Sequence, residues 1–404
     1  MKNFEKKARA YALKNALSYE GTSKISSVIS ALFNEGLKKN EVGKYSKKIS
    51  KIVEEVNSLT IEQQKKELEN FLDLISKRET REGLQELPRV KGKKGVVMRF
   101  APSASGPLHV GHAMTASLSY LYVKKYNGRF YVRIEDTNPD NIYPLSYKMI
   151  SSESKWLFEN TAKIVIQSDR MKLYYKYAKE LIRKKSSYVC TCSSKEFEKY
   201  ISSKTDCPCR NLSVKENLGR WKKMMDKSLK GFKQGEAILR FKSNMKDKNP
   251  AMRDFPLARI NETKHPRQGS KYKVWPLMNL AVAVDDIEMK ITHIIRAKDH
   301  IDNAKRQEMI FKALEKKFPW TGFLGMFKFK DMDLSTTKFK QEIEKGKFSG
   351  WDDKSLPTLA SLRKQGYKPN AFWKFAEQIG LSKNDKVIDK KEFFALLNSF
   401  NKKR

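Results

Sequence analysis

The chain has 404 residues, 39% of them apolar and 32% charged, and its 83 Lys+Arg against 46 Asp+Glu give a formal net charge of +37. That length suggests roughly two to four domains; the composition excludes a disordered chain, and the longest apolar run, Leu280–Val284, falls far below the ~20 residues a membrane-spanning helix needs. So large a basic excess speaks of partners rather than fold, and nucleic acid is the first candidate, because Lys and Arg displace counterions from phosphates. Met1 is followed by KNFEKKARA, with no apolar signal core, and the four cysteines sit in one short segment rather than in a secreted framework. The expected compartment is therefore the cytoplasm.

Residues 1–84 read as all helix. Ile25, Val28, Ile29, Leu32 and Phe33 keep the i, i+3, i+4 spacing of one apolar face, as do Tyr45, Ile49, Ile52, Val53 and Val56. Gly21 and Gly36 stand where helices end, and Thr60 with Gln63 forms a capping box. Nothing in this segment looks catalytic, and a plain helical appendage is the preferred reading. The connector QELPRVKGKKG (85–95) leads into a short apolar run, Val96–Phe100. A Pro/Gly turn and a helix through Ala113–Tyr126 come next, then a second strand, Phe130–Ile134. Beyond a long stretch read as mostly helical and lysine-rich, Ala281–Val284 and Ile291–Ile295 are expected to supply further strands. Strands alternating with helices predict an α/β fold with a parallel, Rossmann-like sheet. A cysteine-bearing insertion interrupts it, and the chain from about 300 to 404 is again mainly helical.

The turn 99–112, RFAPSASGPLHVGH, is neither GxxxxGK[ST] nor GxGxxG. It places His109 and His112 at a helix start, where unpaired N–H groups and the positive end of the helix dipole favour phosphate. Two imidazoles there can donate hydrogen bonds to phosphate oxygens, and Gly111 lets a flat ligand approach the backbone. A zinc site is less fitting, since the spacing is not HExxH.

This run resembles the HIGH signature of class I aminoacyl-tRNA synthetases, in the glutamyl/glutaminyl branch. Four further stretches agree in order: YVRIEDTNP (131–139), WPLMNLAVAVDD (275–286), ITHIIRAKDH (291–300) and GWDDKSLPTL (350–359). The resemblance covers roughly residues 85–395, and the N-terminal extension fits the archaeal-type subgroup. It implies a Rossmann-like parallel-sheet catalytic domain in two halves, 85–189 and 276–310. An inserted acceptor-stem-binding domain (190–275) would divide them, flanked by an N-terminal helical domain (1–84) and a C-terminal helical domain (311–404) with a KMSKS-like loop.

The resemblance implies ATP with Mg²⁺, L-glutamate and tRNA(Glu) as substrates. His109 and His112 would stabilise the adenylation transition state, while Pro102, Ser105, Gly106 and Gly111 shape the ATP floor together with Leu334 and Ser335. Arg99 and Glu135 would hold the amino acid's carboxylate and ammonium. Met278 stands where many relatives have tyrosine, and Arg296 would select glutamate over glutamine by pairing with the γ-carboxylate. In the degraded loop DMDLSTTK (331–338) Thr336 takes the usual lysine's place, leaving Lys338 or Lys340 for the pyrophosphate. Cys190, Cys192, Cys207 and Cys209 form paired CxC units suited to one structural Zn²⁺. Between 210 and 280 the basic residues with Trp221 and Tyr272 suit an acceptor-stem surface. Archaeal-type relatives continue into anticodon-binding β-barrels; a deletion, a natural loss or a second chain carrying the barrels would each account for their absence, a split or truncated enzyme is the preferred reading, and no membrane partner is expected. The alternative is a synthetase-like tRNA-binding protein, non-catalytic or RNA-modifying.

Overall fold

The computed structural model describes residues 3–75, 83–90 and 95–402. The chain divides into two units, Met1–Arg81 and Glu82–Arg404. In the first unit, α1 (Phe4–Ser18), α2 (Ile25–Asn34), α3 (Val42–Asn57) and α4 (Ile61–Glu69) follow one another. Val28 and Leu32 of α2 and Ile49, Val53 and Val56 of α3 meet Leu13 and Ala16 of α1 in one core. The caps are those the sequence announces. Gly21 and Gly36 take φ values of +87° and +96° beyond α1 and α2. Thr60 accepts from the Gln63 N–H while Gln63 accepts from the Thr60 N–H. The connector falls partly outside the described residues, at 91–94.

The second unit is built on parallel strands. β1 (Val97–Phe100) leads through α5 (Val110–Lys125) to β2 (Arg129–Ile134), and α6 (Ser146–Leu157) leads to β3 (Lys163–Ile166), giving a parallel sheet in the order β1-β2-β3. Met98, Phe130, Val132 and Ile134 are buried against Ala113, Leu118 and Tyr122 of α5 and Ile150 and Leu157 of α6. Short apolar strands of this kind need cover on both faces. After α7 (Met171–Arg183) comes the insertion: β4 (Ser187–Cys190), α8 (Ser194–Ser203), α9 (Val214–Met225), β5 (Ile238–Phe241), β6 (Pro256–Ile260) and β7 (Val274–Pro276). Its four strands form an antiparallel sheet in sequence order. The expectation of a mostly helical stretch fails here because strands of three to five residues, interrupted by Arg and Pro, give no readable alternation.

The chain then returns through α10 (Met278–Glu288) to β8 (His293–Ala297), α11 (Ile301–Ala313) and β9 (Trp320–Leu324), with β8 and β9 parallel. At the start of β1, Val97 N–H donates to Thr292 Oγ1 and the Thr292 N–H donates to Val97 O, each at 2.9 Å, which joins the two sheets. Ala281–Val284 is thus helix and not strand. Leu280 to Val284 are all buried within α10, and a short apolar run buried all round has no helical stripe to distinguish it from a strand. β10 (Phe327–Phe329), α12 (Thr336–Glu344), α13 (Leu359–Lys364), α14 (Pro369–Ile379), β11 (Lys386–Ile388) and α15 (Lys390–Lys402) complete the unit. Phe372, Phe375 and Phe393 of these last helices share the core of β1 and β2. The architecture is α/β with a Rossmann-like core.

The turn between α5 and β2 has no room for a side chain. A Cβ on Gly128 would lie 2.0 Å from the Val96 carbonyl oxygen, whereas one on Gly219 in α9 would meet nothing within 4 Å. Gly128→Ala should cost roughly 1–3 kcal/mol, the scale of forced overpacking, and lower the melting temperature. Gly219→Ala should leave it unchanged or raise it. Equal melting temperatures for the two variants would contradict the close approach.

Candidate active site

β1 and β2 run parallel, and the sequence-derived candidates gather around the segments that follow their C-terminal ends, with Arg296 of β8 within electrostatic reach of Arg99 and Glu135. From Phe100 the chain passes Pro102, Ser105 and Gly106 to His109, the residue before α5. The turn is tied from several directions. Ala104 N–H donates to Glu135 O at 3.0 Å, Leu359 N–H to Leu108 O at 2.9 Å, and Val110 N–H to Pro357 O at 3.0 Å. The Leu108 N–H donates to the buried carboxyl of Glu153 on α6 at 2.7 Å, and burial pushes that carboxyl up to about 8.

His109 and His112 stack with ring centroids 3.8 Å apart. The His109 N–H donates to His112 Nδ1 at 3.4 Å, so the ring proton of a neutral His112 lies on Nε2, free to donate. Burial pushes His112 down to about 4, and burial with the neighbouring His112 holds His109 well below the ordinary imidazole range. Both rings are therefore neutral near pH 7. The loop before α12 lies directly on this turn: a Cβ on Gly106 would stand 2.2 Å from Thr336 Cγ2, and one on Gly111 would stand 3.1 Å from Leu334 Cδ1. Ser335 caps α12 through the Lys338 N–H. Lys338 itself is not brought to the histidines' turn by any recorded contact; its ammonium is exposed and paired with Asp333 at 3.0 Å. Lys340 lies over the Tyr143 ring, 5.4 Å from its centroid.

Beside the turn is a cluster of buried charges. Arg99 of β1 donates through Nε and Nη2 to the two oxygens of Asp286 on α10, at 3.3 Å each. Arg133 of β2, wholly buried, donates to the same carboxylate at 2.6 Å and to Glu135 at 3.3 Å. Burial raises the Asp286 carboxyl, but Arg99 and Arg133 overcome it and hold the group below its usual value. Burial pushes Glu135 upward against the pull of the same two arginines. Asp285 accepts from Arg170, Gln167 and Tyr174 at 2.6 to 2.9 Å and also lies 3.7 Å from Arg133 Nε. Arg296 of β8 differs from both other arginines. Its recorded partner is neutral, the Gln307 side-chain oxygen at 2.8 Å, and its buried Nε has no partner among the described residues. Burial and then the charge of Arg99 push it down to about 10, so it remains a cation at neutral pH. Met278 begins α10 and is partly exposed.

The sequence pointed to Arg99, Glu135, His109, His112 and Arg296. It did not single out Arg133, Asp285, Asp286, Glu153, Asn279 or Gln307. A doublet of acids closing an apolar run was the available signal for the two aspartates; Gln307 carried none.

Away from this cluster, the four cysteine Sγ atoms lie within 4.8 Å of one another. Cys190–Cys207 and Cys192–Cys209 are each 4.0 Å apart, close to the ~3.8 Å edge of a tetrahedral zinc–thiolate site with ~2.3 Å bonds. The Thr191 N–H and the Arg220 guanidinium donate to Cys209 Sγ, and a hydrogen bond from Cys190 is the leading reason that Cys207 is pushed down to about 5. These residues fit a metal ion: the four sulfurs converge, and although Cys190 and Cys192 are pushed up, Cys207 and Cys209 are pushed toward thiolate. Trp221, expected on an RNA-facing surface, is instead buried in the insertion's core beside Tyr175, because an indole that large completes the packing of α9. The exposed basic groove nearby belongs to α7, with Lys172, Lys176, Lys179 and Arg183 around Tyr175. Among the described residues no helix is long and apolar enough to cross a membrane.

The family of class I tRNA synthetases (E and Q), catalytic domain, matches residues 95–403. The chain is 39% identical over 393 residues to a protein of Methanocaldococcus jannaschii named glutamate–tRNA ligase, covering 97% of this chain and 70% of that one. It is 41% identical over 396 residues to a glutamate–tRNA ligase of Pyrococcus furiosus, covering 95% and 68%. Among solved structures, a glutamate tRNA ligase from Elizabethkingia meningosepticum in complex with its amino acid shares the fold with a TM-score of 0.54 at 19% identity, covering 75% of this chain and 69% of that one.

The neutral histidine pair gives a pH signature. Unfolded imidazoles take a proton near 6.5, whereas folded His112 takes one only near 4. As pH falls through that window the unfolded chain binds protons the native chain does not, so stability falls with it. His112→Asn keeps an acceptor near Nδ1 but cannot titrate. Melting temperatures measured from neutral pH down through this window should fall less steeply for the variant; identical slopes would contradict a buried neutral His112.

Proposed function

The chain belongs to the class I tRNA synthetases of the glutamyl and glutaminyl type, and on that premise we propose that it is a glutamate–tRNA ligase. It joins L-glutamate to the α-phosphate of magnesium-bound ATP and passes the glutamyl group to the 3′-terminal adenosine of tRNA(Glu). The observation that carries this reading is Arg296. It is buried and cationic, and among the described residues it is hydrogen-bonded only to a neutral amide oxygen and its Nε has no hydrogen-bond partner. A buried guanidinium without an acid is costly, and the γ-carboxylate of glutamate supplies what is missing. Glutamine's amide does not.

In the first step a carboxylate oxygen of glutamate attacks the α-phosphorus and the bond to pyrophosphate breaks. Pyrophosphate leaves with the electron pair. Negative charge builds on phosphate oxygens beside the start of α5, where the Nε2–H of His112 and the His109 ring donate. Each neutral ring still carries one N–H with which to donate to a phosphate oxygen. Pro102, Ser105, Gly106 and Gly111 form the floor for the nucleotide, and Leu334 and Ser335 its wall, with Mg²⁺ entering with ATP. Arg99, anchored to Asp286 by two of its nitrogens, keeps Nη1 for the substrate's α-carboxylate. Glu135 faces the α-ammonium, and Met278 supplies contact without a hydroxyl. Lys338 would release Asp333 to meet the departing pyrophosphate. In the second step a ribose hydroxyl of the tRNA terminus attacks the acyl carbon and AMP leaves. The cations of the α7 groove are placed for phosphates of the acceptor stem.

Cys190, Cys192, Cys207 and Cys209 are proposed to hold one Zn²⁺, whose part is to cross-link β4 to the turn at 207–209 and not to take part in the reaction. Catalysis in the cytoplasm, where thiols stay reduced, suits this site.

Two outcomes are expected. Arg296→Cys should lower kcat/KM for glutamate by at least about 100-fold, the scale of removing one member of a buried charge pair, while the KM for ATP stays near wild type. A wild-type kcat/KM for glutamate would overturn the assignment. Protein purified without added zinc should contain about one equivalent, as one four-thiolate site requires, and Cys207→Ser should lose the metal and melt at a lower temperature. Metal-free protein of undiminished stability would rule the site out.

A further inference from the structure

We propose that Gln307 sets the preference for a carboxylate over an amide, by orienting Arg296 while leaving its charge uncancelled; this rests on the glutamate reading above. Gln307 is fully buried on α11. Its side-chain oxygen accepts from Arg296 Nη1 at 2.8 Å, and its Nε2 donates to the Oδ1 of Asn279, on the first turn of α10, at 3.2 Å. The guanidinium only donates, so the amide oxygen must face it, and the Asn279 oxygen takes the amide's N–H at the other end. The guanidinium is thus held by a dipole and not by an ion.

The neighbouring charges make that neutrality matter. Arg99 and Arg133 share Asp286, and Arg133 also has Glu135. Arg170 has Asp285. Arg296 is the arginine of this cluster left without an acid within ion-pair distance among the described residues. A glutamate at position 307 could make the same hydrogen bond, and a stronger one. It would also neutralise Arg296 before any substrate arrived, and the incoming γ-carboxylate would then face a carboxylate across the guanidinium. Specificity here comes from the charge that the supporting residue withholds. Gln307 is accordingly a positioning residue, two steps from the reacting atoms.

The test compares charging of tRNA(Glu) with glutamate and with glutamine by the full chain, together with the KM for ATP. For Gln307→Glu, kcat/KM for glutamate should fall by on the order of 100-fold, the scale of a buried charge pair. The loss should lie mainly in KM, with the glutamate-to-glutamine ratio collapsing and the KM for ATP unchanged. Gln307→Met is neutral and of similar size; it should lose about tenfold in kcat/KM, as for one hydrogen bond to a charged group, and keep the ratio. An unchanged ratio in Gln307→Glu, or an equal collapse in Gln307→Met, overturns the proposal, since packing alone would then account for the residue. Should Gln307→Glu not fold, Gln307→Met carries the test: a KM for glutamate equal to wild type overturns the proposal. A wild-type chain that charges no glutamate sinks the underlying reading along with this inference; an active wild type with an unaltered Gln307→Glu ratio sinks this inference alone.

Discussion

The open end of the parallel sheet depends on one carboxylate, Asp286. In the β1–β2 register Arg99 lies beside Tyr131, and Tyr131 and Arg133 share a sheet face because side chains alternate along a strand. Two guanidiniums from neighbouring strands therefore project on one face, both buried. Without an anion between them their repulsion and desolvation would open the sheet's edge. Asp286 accepts from both, and breaking such a pair by removing one partner typically costs about 3–5 kcal/mol. The same bonds engage Arg99 Nε and Nη2, so the group that stabilises the fold also fixes the orientation of the guanidinium proposed to meet the substrate.

This dependence explains why the Asp285–Asp286 segment must be helical. Successive residues on an α-helix point about 100° apart, so Asp285 reaches Arg170, Gln167 and Tyr174 while Asp286 reaches across to β1 and β2. On a strand the two would point to opposite faces, and one would be stranded among the apolar residues of the core. The apolar run Leu280–Val284 read as strand because its burial on every side erased the stripe that periodicity detects. Its two terminal acids, which cannot be buried without partners, were the better guide. The helical N-terminal unit was legible for the opposite reason. Its faces are half exposed, so the 3.6-residue period survives, and Thr60 and Gln63 cap α4 by a local rule that needs no tertiary context. The insertion's antiparallel sheet escaped notice because its strands are too short for a pattern to develop.

At the site, legibility followed chemistry more than structure. His109, His112, Arg99, Glu135 and Arg296 sit in stretches whose spacing is distinctive, and the fold brings their neighbourhoods together. What the sequence could not convey was which arginine is already satisfied. Arg99, Arg133 and Arg296 look alike as letters; only the placement of the acids and Gln307 ties the first to Asp286, surrounds the second with three carboxylates and leaves the third without an acid within ion-pair distance among the described residues. Thr336 is similar. By sequence it marks a missing lysine, yet in the fold its methyl occupies the space that Gly106 leaves by having no Cβ. A small branched side chain there brings the loop into contact with the turn before α5, and a longer one would need the loop to stand farther off.

The net charge of +37 can now be located. Among the described residues the buried arginines are Arg99, Arg133, Arg240, Arg253 and Arg296, and the buried acids are Asp136, Glu153, Asp254, Asp285 and Asp286. Glu153 is pushed up to about 8, so the interior balances to within about one charge. No lysine is among these buried groups, as expected from the compact, strongly hydrated ammonium; the planar, weakly hydrated guanidinium is the cation that tolerates burial. Nearly all of the positive excess therefore lies on the surface, where screening confines each charge's reach to about 8–10 Å at physiological salt. Under the proposed function a polyanion along the α7 groove would meet it at contact distance, and among the described buried arginines of the cluster Arg296 alone, with no acid in ion-pair distance, would be left to a substrate.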